Sequence, residues 1–204
     1  MLTTAALVQS IEEVASRLAP IRDRLNEADA KLGDGDTGMT VARMIEAVRA
    51  VSAELPADVG TALAQCGRAC SRATGSSLGA VIAMALAAAG RSARGQVVDH
   101  AGLANMLAAA SATIQERSGA APGDKTVLDS ILAIRDVLAT AEPPASLRAL
   151  AIDAADDALE RFRGCEAKMG RARMYGWKSA GLDDPGMLAV YLILDASRGM
   201  LSSD

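Results

Sequence analysis

The sequence predicts an all-α protein, and two features of its pattern carry this prediction. Apolar residues recur at intervals of three and four along most of the chain, which places them on one face of a helix. No segment offers a run of alternating β-branched residues, as a half-buried strand would. Clusters of Gly, Pro and Asp divide the chain into eight helices, predicted at residues 3–28, 38–53, 57–73, 79–91, 99–117, 125–141, 145–164 and 184–201.

The helices follow one another through seven connections. The first helix carries a stripe of apolar residues, Leu7, Ile11, Val14, Leu18, Ile21 and Leu25. Three connections are short and chemically plain: residues 54–56, 91–98 and 142–144. The other four are rich in Gly and polar residues, and we call them loop one (residues 33–38), loop three (74–79), loop five (119–126) and loop seven (165–186).

The order of these loops predicts where a site lies. Short connections make neighbouring helices antiparallel, in an up-and-down assembly, so alternate loops emerge at the same end. Loops one, three, five and seven should therefore gather at one end, and the plain connections at the other. Four Gly-rich loops that converge in this way are typical of a ligand site.

Composition limits the function. The 204 residues suffice for one domain, which we expect to span residues 1–204. Half of them are hydrophobic but only four are aromatic, so aliphatic side chains and Ala must fill the core, and no nucleic-acid surface of stacked rings is expected. The single histidine, His100, excludes a two-histidine metal site. A net charge of −4 without a basic block is not that of a polyanion-binding protein.

The number and spacing of the cysteines, and the length of the apolar runs, predict the cellular compartment of the protein. Cys66, Cys70 and Cys165 do not complete a zinc site, and we interpret them as reduced, buried thiols. The longest apolar run, residues 80–89, is shorter than the about 20 residues that cross a bilayer. We therefore expect a soluble, cytoplasmic protein with no membrane partner.

Three carboxylates lie within eight residues, Asp29, Asp34 and Asp36. Two carboxylates about 4 Å apart repel by roughly 1 to 4 kcal/mol, so a cation should lie between them. All-oxygen ligands favour Mg²⁺ or Ca²⁺. The alternative is a solvated turn in which Asp36 caps the second helix and Asp29 is merely exposed.

The sequence GDGDTG of loop one also matches G-x-G-x-x-G. The residues before it are helical in pattern and no strand precedes it, so a dinucleotide-binding fold is not expected. Two of the loops lead into helices whose free N–H groups attract phosphate. The residues at these helix starts are Thr37 and Gly38 in loop one, and Ser76 and Ser77 in loop three. The alternative is that these residues are ordinary helix caps.

Loops five and seven offer cations and aromatic residues. Lys125 either contacts a ligand or is solvated at the start of a helix. Arg171 or Arg173 could neutralise phosphate. Alternatively, loop seven is a surface loop whose Trp177 packs on the end of the helical assembly.

Taken together, these motifs resemble the nucleotide-binding (L) subunit or domain of dihydroxyacetone kinases. The resemblance rests on LNEAD at 25–29 followed by GDGDTG at 33–38, on PGDKT at 122–126 with Leu128-Asp129, and on GRA at 170–172 with DPG at 184–186. It spans nearly the whole chain.

The resemblance implies an eight-helix antiparallel barrel with the nucleotide at one end. It implies that Asp29, Asp34 and Asp36 hold two Mg²⁺ ions on the phosphates of ADP or ATP, and that these residues and Arg171 are catalytic. The remaining implied nucleotide contacts are Thr37, Gly38, Met39, Thr40, Ser76, Ser77, Leu78, Gly119, Val127, Asp184, Pro185 and Gly186, again with Arg171.

The resemblance also implies partners. A separate K-type subunit would bind dihydroxyacetone or a similar short keto-sugar through a histidine, and would receive the phosphoryl group there. Some members have their ADP rephosphorylated by a phosphohistidine phosphotransferase subunit, whereas GDGDTG is closer to members that use free ATP. Two alternatives stay open: a kinase subunit for another short sugar such as a tetrulose, and a non-catalytic nucleotide-sensing subunit that docks on a transcription factor or kinase.

Two departures from the family pattern concern the loops. Loop three normally reads GGSSG or GGASG, and Leu78 stands where a serine is expected. Either the loops align with a one-residue insertion, or one hydroxyl to the phosphate is missing. Loop seven contains YGWKS at residues 175–179, an unusual sequence for a segment that covers the nucleotide.

Overall fold

The computed structural model describes residues 1–142 and 146–198, and these residues form α-helices and short 3₁₀ helices without a β-strand. The α-helices are α1 (Thr4–Ser16), α2 (Leu18–Asp29), α3 (Thr37–Val51), α4 (Val59–Ala73), α5 (Ser77–Ala93), α6 (His100–Ser118), α7 (Val127–Ala139), α8 (Leu147–Arg163) and α9 (Pro185–Ala196). The 3₁₀ segments are Ser52–Glu54 and Ala172–Ser179, and the second is kinked at Gly176 (φ 53°, ψ −132°). The predicted all-α class is confirmed. Residue 145 and residues 199–201 of the predicted helices lie outside the described residues.

The predicted helix over residues 3–28 is wrong, because the chain forms two helices there. Arg17 separates α1 from α2 with non-helical angles (φ −110°, ψ 16°). Pro20 lies in the first turn of α2, where its missing N–H costs nothing. In an uninterrupted helix the same proline would remove an internal hydrogen bond, so Pro20 was the signal for the break.

The helices from α2 to α9 form a closed ring. Each packs on the next in sequence, and α9 packs on α2, while α1 lies against α3 and α9. This is the up-and-down helical barrel that the sequence predicted. The buried hydrophobic residues of the described part include no Phe, Tyr or Trp, as the composition required. Cys66 and Cys70 are buried, but Cys165 is exposed, so its predicted burial is wrong.

The two ends of the barrel are built differently. At the end opposite the Gly-rich loops, the Thr4 hydroxyl donates to the carbonyls of Pro56 and Ala57, at 2.9 and 3.0 Å. The Asp58 carboxylate accepts the N–H of Gly95 at 2.8 Å, so the connections around residues 54–58 and 91–98 are joined there. None of the helices described is both long and apolar enough to cross a membrane.

The four Gly-rich loops gather at the other end, as predicted. An ion pair between Asp34 and Arg171 joins loops one and seven. The Lys125 amine bonds to carbonyls of loop seven and of the end of α8, which joins loop five to loop seven. A Cβ built on Gly186 would lie 3.7 Å from Leu78 Cδ1, which brings loop three to loop seven. We call this end the loop pole.

Candidate functional site

The three predicted aspartates converge at the loop pole. Asp29 ends α2 and is only 7% exposed, whereas Asp34 and Asp36 are exposed in loop one. One carboxylate oxygen of each lies within 4.8 Å of those of the other two. Three hard oxygen donors at this separation suit a divalent cation such as Mg²⁺.

The buried carboxylate of Asp29 shapes loop one. Its Oδ2 accepts the N–H of Asp36 at 2.9 Å and the N–H of Thr37 at 3.1 Å. Gly33 passes so close that a Cβ there would lie 2.4 Å from Asp29 Oδ1. Gly38 is buried against α2, and a Cβ there would lie 2.0 Å from the Arg22 carbonyl oxygen. These glycines allow close packing of backbone and carboxylate, and no strand precedes them in the described chain.

The structure corrects the solvated-turn alternative for Asp29 and for the side chain of Asp36. Asp29 is buried, and Asp36 occupies the N-cap position of α3 without a capping hydrogen bond from its side chain. The Asp36 carboxylate is therefore free to face the other two. Burial, followed by the charge of Asp34, raises the pKa of Asp36. Such mutual repulsion is what a bound cation would relieve.

Arg171 supplies a cation at this cluster. Its guanidinium pairs with the Asp34 carboxylate, and this hydrogen bond lowers the pKa of Asp34 and raises that of Arg171. Both side chains are half or more exposed, so the pair adds little to folding stability. Arg173, the other arginine of the motif, is exposed and forms no ion pair within the described chain.

Loop three presents the N-terminus of a 17-residue helix, α5. The Ser76 hydroxyl accepts the N–H of Gly79 at 3.0 Å, so the capping alternative is confirmed for this side chain. The backbone N–H groups of Ser77 and Leu78 lie in the first turn, where a helix offers no internal acceptor. At the start of α3, by contrast, Asp29 and Asn26 already accept the N–H groups of Thr37 and Met39.

Apolar groups meet beside these loops. A Cβ on Gly186 would lie 3.6 Å from Val127 Cβ and 3.7 Å from Leu78 Cδ1. Pro185 is buried next to them, and the Asp184 carboxylate caps α9 by accepting the N–H of Met187 at 2.9 Å. Burial raises the pKa of Asp184 to about 6. Leu78 thus adds apolar surface where the family pattern would place a hydroxyl.

The other predicted contacts differ in their exposure. Gly119 ends α6 in an exposed left-handed turn (φ 73°). Met39 is exposed on the first turn of α3, whereas Thr40 is buried beneath it. In loop seven, Trp177 is 75% exposed, so the alternative in which it packs on the end of the barrel is wrong.

Comparison with known proteins places these features in a family. Residues 31–199 match the DAK2 domain. The chain belongs to the DAK2 domain family. The resemblance deduced from the sequence is therefore confirmed.

The DAK2 domain is similar to proteins of different lengths. Human "Triokinase/FMN cyclase" is 32% identical over 199 residues, which are 95% of this chain and 34% of that protein. The Listeria innocua "PEP-dependent dihydroxyacetone kinase 1, ADP-binding subunit DhaL" is 25% identical over 91% of each chain. The dihydroxyacetone kinase from C. freundii in complex with AMP-PNP and Mg²⁺ superposes with a TM-score of 0.72 at 26% identity, over 94% of this chain and 33% of that one. The chain spans about a third of the length of the first relatives that it matches.

Two residues that shape the site of this DAK2 domain were not predicted from the sequence. Asp129 is buried and accepts the N–H of Gly123 at 2.6 Å and the N–H of Thr126 at 2.9 Å, which closes loop five. The spacing of Thr126 and Asp129 is that of a capping box and could have revealed it. Asn26 accepts the N–H of Met39 at 3.3 Å, and no local pattern indicates this.

Neither expectation for Lys125 describes it. The side chain is 1% exposed, so it is not solvated. All three of its amine protons are taken by carbonyl oxygens, which leaves none for a ligand.

Proposed function

We propose that this chain binds Mg²⁺-ADP or Mg²⁺-ATP at the loop pole and is the nucleotide-binding part of a kinase for a short keto-sugar. The observation that carries the proposal is the cluster of Asp29, Asp34 and Asp36 beside the N-terminus of α5. Carboxylates attract divalent cations, and a helix N-terminus attracts phosphate. Together they suit a metal-bound polyphosphate and would repel a free carboxylate ligand.

The aspartates would hold one or two Mg²⁺ ions, which supply positive charge to the nucleotide phosphates. The chain's own groups would add to this. The N–H groups of Ser77 and Leu78 would donate to phosphate oxygens at the positive end of the α5 dipole. The Arg171 guanidinium, which already lies at Asp34, would stabilise the negative charge of the transferring phosphoryl group.

The opposite side of the loop pole would hold the nucleoside. Leu78, Val127 and Gly186 form an apolar surface, bounded by Pro185 and Asp184. A flat purine ring buries apolar area against such a surface. The exposed segment around Trp177 would cover the purine ring on its outer face, and Gly119 would border the ring on the α6 side.

The acceptor would be dihydroxyacetone or a similar short keto-sugar held on a separate K-type subunit. A histidine that anchors such a sugar is not available near the site: His100 begins α6, and the far end of this 19-residue helix leads to loop five. At 1.5 Å per residue, His100 lies about 27 Å from the loop pole. The similarity to a subunit named as ADP-binding over 91% of both chains supports this division of labour.

Calorimetry tests the nucleotide site. Wild-type protein should bind ADP in the presence of Mg²⁺ and lose this binding in excess EDTA. Asp34→Asn should abolish the metal-dependent binding, because it removes one ligand charge while keeping the size of the side chain. Asp23→Asn, an exposed aspartate of α2 paired with Arg22, serves as the matched control and should bind like wild type. Unchanged binding by Asp34→Asn would show that the aspartates are not the site.

Phosphoryl transfer is tested separately. ATP-dependent phosphorylation of dihydroxyacetone, and of the tetrulose erythrulose, should require both this chain and a K-type subunit. Adding a phosphohistidine phosphotransferase subunit in place of ATP distinguishes the two donors. Tight Mg²⁺-ADP binding with no transfer under any of these conditions would instead favour a nucleotide-sensing regulatory subunit.

A further inference from the structure

Lys125 is a buried cation to which the proposed nucleotide site assigns no contact. Its amine donates to the carbonyl oxygens of Arg163 at 3.1 Å, Cys165 at 2.8 Å and Ser179 at 2.8 Å. Its backbone is left-handed (φ 61°), the one non-glycine case among the residues that the structure describes. A long side chain keeps such a strained backbone only where its surroundings require it. The surroundings here are the three carbonyls.

These carbonyls belong to the two ends of one segment. Arg163 ends α8 and Cys165 follows it, whereas Ser179 ends the second 3₁₀ helix, so the amine joins the outgoing and returning parts of loop seven. The Gly181 N–H also donates to the Arg163 carbonyl, at 2.7 Å, and the Ala167 N–H donates to the Ser179 hydroxyl at 2.8 Å. We call these contacts the base of loop seven. The positive amine also suits the negative C-terminal end of α8.

Arg171 lies between the two ends that Lys125 joins, and its guanidinium reaches Asp34 across the loop pole. Arg171 itself is exposed and makes no other ion pair within the described chain. Its neighbour Ala172 is buried in a cluster with Leu32 and Ala167, and Ala167 belongs to the base of loop seven. Neutral side chains of similar length could fill the space of Lys125 but could not donate to three carbonyls at once.

We propose that Lys125 is a positioning residue: its ammonium closes the base of loop seven and thereby holds Arg171 where it meets Asp34 and the nucleotide phosphates. The part that concerns the nucleotide rests on the proposed function. The part that concerns loop seven does not.

The test compares Lys125→Met with Lys168→Met, the same change at an exposed lysine of the same loop that lies outside the segment around Trp177. In Lys125→Met, the amide hydrogens of Ala167 and Gly181 should exchange at least tenfold faster, while those of α4 are unchanged. Mg²⁺-ADP affinity, measured by calorimetry, should fall at least tenfold. Mn²⁺ affinity without nucleotide, measured by electron paramagnetic resonance, should not fall, because loop one is intact. Lys168→Met should match wild type in all three measurements.

Each result decides between positioning and general support of the fold. Equal losses of Mn²⁺ and ADP affinity, or wild-type exchange at Ala167 and Gly181, would overturn the inference. If wild type binds no Mg²⁺-ADP, the proposed function fails, and the exchange measurement still tests the role of Lys125.

A second variant covers the case in which Lys125→Met has no cooperative unfolding transition. Lys125→Gly suits the left-handed backbone, and water can occupy a space lined by three carbonyl oxygens. The same faster exchange and weaker ADP binding are expected of it. Exchange at the wild-type rate in Lys125→Gly would contradict the inference as directly.

Discussion

Two regions place charged groups at the loop pole: loop one, and the region where loop five meets the base of loop seven. The charged groups of the two regions differ in what they contact. In loop one, the carboxylates of Asp34 and Asp36 are exposed, and Arg171 is the cation that meets them. In the other region, Lys125 and Asp129 are buried and every one of their charged oxygens or amine protons has a backbone partner. Charges whose bonds are complete support the fold, whereas charges left incomplete are available to a ligand.

The largest expected effect is the difference in stability between two variants, each of which lacks one carboxylate of one region. Asp129→Ala leaves the partly buried N–H groups of Gly123 and Thr126 without their charged acceptor and should lower the free energy of unfolding by about 3 to 5 kcal/mol. Asp36→Ala removes an exposed carboxylate without a capping bond and should change it by less than about 0.5 kcal/mol. Urea unfolding of both variants measures the difference. Similar losses would remove the distinction between the two regions.

The second prediction concerns pH. Burial raises the pKa of Asp184 to about 6, so its protonated form is favoured in the folded chain. Its contribution to stability is complete below about pH 4, the pKa of an unfolded aspartate, and is lost as the pH rises through 6. Asp184→Asn does not titrate and still caps α9. Relative to wild type, it should gain about 2 to 3 kcal/mol between pH 4 and pH 7, measured by urea unfolding in EDTA.

Asp99→Asn is the matched control, since Asp99 also caps a helix, α6, but lies at the other end of the barrel. The bond from the Gly102 N–H lowers the pKa of Asp99, so its contribution is lost as the pH falls through that lowered value. The pH dependence of this variant relative to wild type should have the opposite sign. If the pH dependence of stability had the same sign in both variants, burial would not be the cause of the raised pKa of Asp184.

A third, smaller effect tests the packing of loop one. Gly33→Ala places a Cβ against Asp29 Oδ1 and should cost about 1 to 2 kcal/mol, with weaker Mg²⁺ binding, because the carboxylate must move. Gly164→Ala adds a Cβ in open space at an ordinary helical backbone and should be neutral or stabilising by up to about 1 kcal/mol. Thermal melts with and without Mg²⁺ distinguish the two variants. Equal melting temperatures would show that loop one accommodates the added Cβ without cost.

The fourth prediction concerns Arg171→Ala, which should lower the free energy of unfolding by less than about 1 kcal/mol, because its pair with Asp34 is exposed. Without the competing guanidinium, Mn²⁺ alone should bind more tightly, whereas Mg²⁺-ADP should bind more weakly. Arg173→Ala, at an exposed arginine without an ion pair in the described chain, is the control. Loss of both affinities in Arg171→Ala would show that Arg171 supports the aspartate cluster itself.

Local sequence patterns predicted the helices and the end at which the loops meet. The spacing of apolar residues predicted the helical faces, and the alternation of plain and Gly-rich connections placed loops one, three, five and seven at one end. Pro20 was also a sequence signal for the break at Arg17.

The surroundings of Lys125 could not be predicted in this way. Its partners, Arg163, Cys165 and Ser179, contribute backbone carbonyls, which every residue type possesses. No residue pattern therefore marks them. Burial of a lysine depends on the packing of segments that are distant in the sequence, and a local motif does not indicate such packing.

The ring of helices closes where α9 meets α2, and the Asp34–Arg171 pair bridges the loops beside that closure. During synthesis, at about 5 to 20 residues per second, loop one leaves the ribosome well before loop seven and α9. A nascent chain therefore carries its acidic loop without the apolar surface of Gly186. The proposed site is complete only in the closed ring, so Mg²⁺-nucleotide would bind the ring and not the partial chain, and cellular nucleotide would favour completion of folding by mass action.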